Sequence, residues 1–101
     1  MNISILTPNK EIFQSAISSV KVPGTLGQFQ VLKGHAPIVS SLSAGDVSLV
    51  TEGGEYKFYD AESGTIKDGN QKGKEINYNI SGGFIEVLND EISLLIRIPQ
   101  A

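Results

Sequence analysis

Cysteine is absent from the 101 residues, which removes disulfides, thiolate metal ligands and thiol nucleophiles together and suits a reducing cytoplasm. A basic cluster is missing too: eight Lys and Arg are scattered against eleven Asp and Glu, for a net charge of -3. Such a chain has no field to gather phosphates, so nucleic acid and a directly bound anionic membrane surface are both poor partners. No apolar run approaches a membrane span, and Met1-Asn2-Ile3-Ser4-Ile5-Leu6 lacks the basic segment and sustained apolar stretch of a leader. A soluble, unexported protein is expected, and the N-x-S triplets at Asn2 and Asn79 are then chance occurrences, because glycosylation requires a secretory route.

What is present is alternation. Ile76, Tyr78 and Ile80 alternate with Asn77, Asn79 and Ser81, and Ile92, Leu94, Ile96 and Ile98 with Ser93, Leu95 and Arg97. A period of two is the signature of a strand with one buried face. Further short runs rich in β-branched and aromatic residues fall at 3–6, 18–22, 28–32, 38–42, 46–51, 56–59 and 84–88. Between them stand Pro23-Gly24, Gly34, Gly45, Gly53-Gly54, Asp68-Gly69, Gly82-Gly83 and Asn89-Asp90, the chemistry of tight turns. Many short strands bounded by turns predict an all-β sandwich or barrel, and 10.8 kDa leaves room for one domain over residues 1–101.

One segment competes. Thr7-Pro8 followed by Ile12, Phe13, Ala16 and Ile17 fits a capped helix, but the extended reading is preferred. It requires a β-bulge near Ser18-Ser19, because Ile17 and Val20 are out of phase for one strand face. Residues 52–75 differ from the rest: Glu52-Gly53-Gly54-Glu55 and the polar run from Asp68 to Glu75 enclose a short apolar patch. They read as a solvated excursion in which 56–59 and 64–67 pair as an extra hairpin projecting from the sandwich.

Residues that carry chemistry are few. His35 is the single histidine and stands in a turn-like Lys33-Gly34-His35-Ala36-Pro37 without a partner at a recognisable spacing, so a loop-bonding role is favoured over catalysis or a metal. The stretch Gly69 to Glu75 imitates a phosphate loop, yet it is one residue short, places Glu75 where a Ser or Thr belongs and precedes no helix. Gly24-Thr25-Leu26-Gly27 is a turn for the same lack of a helix. The carboxylates are dispersed, and Asp60, Glu62 and Asp68 do not match a calcium loop. No catalytic residue, cofactor site or metal site is assigned. The aromatic residues occur singly within alternating runs and read as core or cross-strand partners. A small carbohydrate- or peptide-binding sandwich and a fragment of a larger enzyme remain as alternative classes, each without a positive signal.

Three segments in order carry a family pattern. Residues 22–37, from Val22-Pro23-Gly24 to Gly34-His35-Ala36-Pro37, follow V-x-G-x-x-G-x-x-x-V-L-x-G-H-A-P; Ala44-Gly45-Asp46-Val47 follows as a turn into a strand; and Ser81-Gly82-Gly83-Phe84-Ile85-Glu86-Val87 completes the set. The chain thereby resembles the epsilon subunit of the F-type ATP synthase. The resemblance implies a flattened antiparallel β-sandwich of about ten strands. It implies a non-catalytic rotor subunit of the central stalk, one copy per complex and monomeric when isolated. Its partners would be the gamma subunit and the c ring, at the cytoplasmic face of a bacterial inner membrane, without insertion and without a cofactor. By the same match Leu26, Gln28 and Lys33 are expected at the c ring, and Thr7, Ser40 and Leu42 at the gamma subunit. Gly24, Gly27, Gly34, His35, Pro37, Gly82 and Gly83 are expected to shape loops. Members of the family commonly continue into a C-terminal helical hairpin that inhibits ATP hydrolysis and in some binds ATP. This sequence stops at Ala101, so that inhibitory function is expected to be missing.

Overall fold

The alternating segments are strands, and the computed structural model contains ten of them among the described residues. Described are residues 1–53, 56–60, 64–70 and 72–99; Gly54, Glu55, Glu62 and Ala101, named above, lie outside the described residues. The strands are β1 (Asn2–Leu6), β2 (Glu11–Gly24), β3 (Gly27–Leu32), β4 (Ile38–Leu42), β5 (Gly45–Thr51), β6 (Tyr56–Asp60), β7 (Thr65–Gly69), β8 (Glu75–Ile80), β9 (Gly82–Leu88) and β10 (Glu91–Arg97). No helix is present among the described residues, so the extended reading of the segment after Thr7-Pro8 stands.

Two layers face each other. The first is β1-β10-β9-β4 and the second β3-β2-β5-β8, with the long β2 belonging to both: its first half pairs with β1, its second half with β3 and β5, and Gly24 reaches Leu42 of β4. Extents of 33 × 31 × 19 Å give the flattened shape. Pairing is antiparallel except between β1 and β10, which run parallel. The expected antiparallel sandwich otherwise holds. The first and last strands lie side by side, and a parallel pair needs a long crossover, which the rest of the chain supplies.

The inward phase of each strand is apolar and forms one core: Ile3 and Ile5 on β1, Ile76, Tyr78 and Ile80 on β8, and Ile92, Leu94 and Ile96 on β10 are all buried. Burying each such side chain stabilises by about 1.5–3 kcal/mol. The expected bulge is present, since the register of β2 against β5 shifts between Ile17 and Ser19. A second irregularity was not foreseen. Between β1 and β2, Ile5 pairs with Phe13 and Leu6 with Glu11, so Ile12 is an extra residue, and the consecutive Ile12 and Phe13 are both buried.

β6 and β7 form the expected hairpin, but it does not simply project. β6 joins β2 through Phe13 and Gln14. Tyr56 is buried with its ring centroid 5.7 Å from that of Phe13, and a Cβ on Gly69 would sit 2.6 Å from the Tyr56 ring. An aromatic side chain covered on both sides holds the hairpin to the sandwich.

Candidate functional site

Neither outer face of the sandwich is committed to the core, so each shows what the sequence places there by choice. On the second layer, Gln30, Lys21, Ser48 and Asn77 stand opposite one another across four strands. Next to this row the Asn79 amide donates to Asp46 Oδ1 at 3.0 Å, and the Ser48 hydroxyl donates to Asn77 Oδ1. This is a solvated face.

On the first layer the register aligns Leu6, Leu95 and Phe84 in one row that ends at Ser41. Val39 lies diagonal to Phe84, and Leu88 diagonal to Val39. Val39 is 71% exposed and Phe84 53%, and Leu88 and Leu95 are exposed as well. A hollow of about 310 Å³ runs between Leu6, Thr7, Phe84 and Leu95. Glu86, in register with Val39 and Ser93, stands between Phe84 and Leu88, and the apolar side chains cluster around it; exposed apolar clusters are a mark of interaction sites.

Gly83 makes this face possible. A Cβ there would overlap the Leu95 carbonyl oxygen and lie 2.9 Å from Ile96 Cα, at a φ of +154°. β9 and β10 therefore approach closely at the point where Phe84 and Leu95 stand in register.

The residues named from the sequence distribute as follows. Thr7 shapes the β1–β2 turn, its hydroxyl donating to the Lys10 carbonyl at 3.1 Å and accepting from the Lys10 N–H at 3.2 Å, and it borders the apolar hollow. Ser40 and Leu42 stand on the inward phase of β4; Leu42 is 5% exposed and belongs to the core. A one-residue change of phase moves a side chain to the other face of a sheet, and the outward positions of β4 are Val39 and Ser41.

Leu26 is fully exposed at the β2–β3 turn with Gln28 beside it, whereas Lys33 follows the far end of β3, roughly 17 Å along the strand from Gln28. The structure therefore joins Leu26 with Gln28 and separates both from Lys33. Gly24 is buried where a Cβ would meet the Phe29 ring at 2.8 Å, Gly27 and Gly34 have positive φ, Pro37 precedes β4, and Gly82 opens β9. His35 is half-buried, with Nδ1 2.7 Å from the Ala36 carbonyl oxygen and its backbone N–H donating to Leu32 O at 3.1 Å. Asp90, at a φ of 61°, accepts from the Gly34 N–H at 2.8 Å and ties this loop to the β9–β10 turn. Among the described residues no three His, Asp or Glu side chains gather as metal ligands.

Val39, Phe84, Leu88 and Leu95 were not singled out by sequence as surface residues, although a signal was there. Leu95 occupies the polar phase of β10, and Phe84 shares its phase with Glu86.

Residues 1–70 match the family described as ATP synthase, Delta/Epsilon chain, beta-sandwich domain. The chain belongs to this family. Among its members, the ATP synthase epsilon chain of Chlorobaculum tepidum is 37% identical over 93 residues, covering 92% of this chain and 84% of that one. The epsilon chain of Leptospira borgpetersenii is 29% identical over 94% of this chain, which spans 59% of its length. The delta/epsilon β-sandwich fold recurs in solved structures. A chain in the structure of the Euglena gracilis mitochondrial ATP synthase, OSCP/F1/c-ring, aligns with a TM-score of 0.66 at 21% identity, over 93% of this chain and 48% of that one. A chain in the central stalk/c-ring structure from Tetrahymena thermophila aligns with a TM-score of 0.65 at 13% identity, over 96% and 63%. No helix among the described residues is long and apolar enough to cross a membrane.

Proposed function

We propose that this chain, folded as one domain over residues 1–101, is the epsilon-type rotor subunit of an F-type ATP synthase central stalk, a non-catalytic piece that couples the c ring to the gamma shaft. The observation that carries the reading is the apolar row Leu6, Leu95 and Phe84 with Val39 beside it, on the outer face of a sandwich from the delta/epsilon family. Gamma packs on this face, with Thr7 at its border. The β2–β3 turn, with Leu26 and Gln28 at its tip, meets the c ring. The subunit sits peripherally on the cytoplasmic side of a bacterial inner membrane, one copy per complex, monomeric when isolated and without a cofactor.

The mechanics follow from packing. Bending a sandwich whose core is filled at near-crystalline density breaks interior contacts, so the domain is stiff and transmits torque between shaft and ring while storing little of it. Burying what is exposed of Phe84, Leu95 and Val39 against gamma supplies about 1–2 kcal/mol for each side chain.

Calorimetric titration into the cognate gamma subunit tests the reading. One-to-one binding is expected, weakened about 100-fold by Phe84→Glu, which places a charge in an apolar contact. Gln30→Glu on the opposite face is expected to change it less than about twofold. Absence of binding by the folded wild-type chain would overturn the proposal.

A further inference from the structure

The rim of the apolar face carries a charge that the fold itself does not use. Arg97 is the chain's only arginine and closes β10 on the outward phase it shares with Leu95. Its partner in register is Gly82, which has no side chain, and its diagonal neighbour is Phe84. Arg97 borders the apolar hollow of about 310 Å³ on one side and, on the other, a cleft of about 640 Å³ that it shares with Lys10, Asn9 and Ile98. Among the described residues no carboxylate lines either hollow and Arg97 takes part in no ion pair.

An exposed arginine contributes little in water. At the edge of a contact that sheds water on docking, its planar fork of donors matches a carboxylate with two parallel hydrogen bonds, and arginine is enriched at interfaces for that reason. We propose that Arg97 is a specificity-determining contact of this face. The partner protein places a carboxylate against it, next to an apolar side chain that enters the hollow between Phe84 and Leu95. The apolar hollow beside the cation selects a protein surface over a free anion. This inference rests on the stalk reading, and it adds the chemistry that gamma must present.

The test is association and dissociation kinetics with the cognate gamma subunit, at about 50 mM and about 500 mM salt, spanning weak to strong screening. Arg97→Met is expected to slow association about tenfold at low salt and to approach wild type at high salt, as removal of a steering rim charge does. Arg97→Lys keeps the charge but not the fork, so it should associate almost as fast as wild type and dissociate about threefold faster. That rescue also separates the charge from any loss of folding. Lys21→Met, on the opposite face, should match wild type at both salts. If wild type binds and Arg97→Met tracks it at both salts, the Arg97 contact is overturned and the stalk reading stands. If folded wild type does not bind gamma, both fall.

Discussion

The two outer faces of the sandwich have the same pleat and differ in chemistry, with Leu32 at the end of β3 an exposed apolar side chain on the otherwise polar one. Across the second layer runs the row Gln30, Lys21, Ser48 and Asn77; across the first run Leu6, Leu95 and Phe84. Strand geometry requires only that the inner phase be apolar, and both layers meet that requirement with Ile, Val and Leu. Nothing in folding asks for Phe84 or Leu95 to point outward. The contrast therefore separates residues that make the fold from residues the fold does not need: the polar rows show what this sheet looks like when it meets water alone, and the apolar face is read against them.

The strongest way to break the contrast is at Gly83. Alanine there is expected to cost about 4 kcal/mol or to prevent folding, because its Cβ overlaps the β10 backbone at a φ few side chains adopt. Urea unfolding measures it. Alanine at Gly82, where a Cβ would lie 3.6 Å from the Leu42 carbonyl oxygen in ordinary contact, should cost less than about 1 kcal/mol. Equal effects at the two glycines would mean that close approach of β9 and β10 does not set the apolar face.

Much of this architecture was legible in the sequence, and the losses have physical reasons. Period-two alternation revealed β8 and β10, and the out-of-phase Ile17 and Val20 revealed the bulge, because one apolar face leaves few registers open. The bulge at Ile12 stayed hidden, since two adjacent apolar residues fit a helix as well as an irregular strand. The parallel β1–β10 pair joins the two ends of the chain, and no local pattern encodes it. Resemblance pointed to Ser40 and Leu42 on β4, and only the burial phase of the strand shows that these two lie on its inward side while Val39 and Ser41 lie outward.

The hairpin of β6 and β7 offers a smaller test, because it joins the half of β2 that pairs with β1 and leans on Tyr56 as its aromatic anchor. Tyr56→Ala is expected to cost about 3 kcal/mol of local stability, in line with removing a buried aromatic ring. Native-state hydrogen exchange should show the loss at Lys57 and Ile66, with amides of β9 and β10 nearly unchanged. Equal loss of protection in β9 and β10 would show that the hairpin and the apolar face form one cooperative unit. The contrast between the two layers would then be a matter of surface chemistry alone.

The smallest expected effect lies where the layers are tied together, at Asp90. Its side chain accepts the Gly34 N–H, and its backbone has a φ of 61°, so substitution acts in two ways that can be separated. Asparagine keeps an acceptor and tolerates this backbone region, and Asp90→Asn should fall within about 0.5 kcal/mol of wild type. Alanine loses the bond and is strained at positive φ, so Asp90→Ala should cost about 1.5 kcal/mol. Glycine loses the bond and relieves the backbone, which places Asp90→Gly between the other two. Denaturant unfolding of the three variants reads the order directly. If glycine proves as stable as asparagine, the hydrogen bond contributes nothing, and the loop carrying His35 is held by its own turn rather than by the first layer.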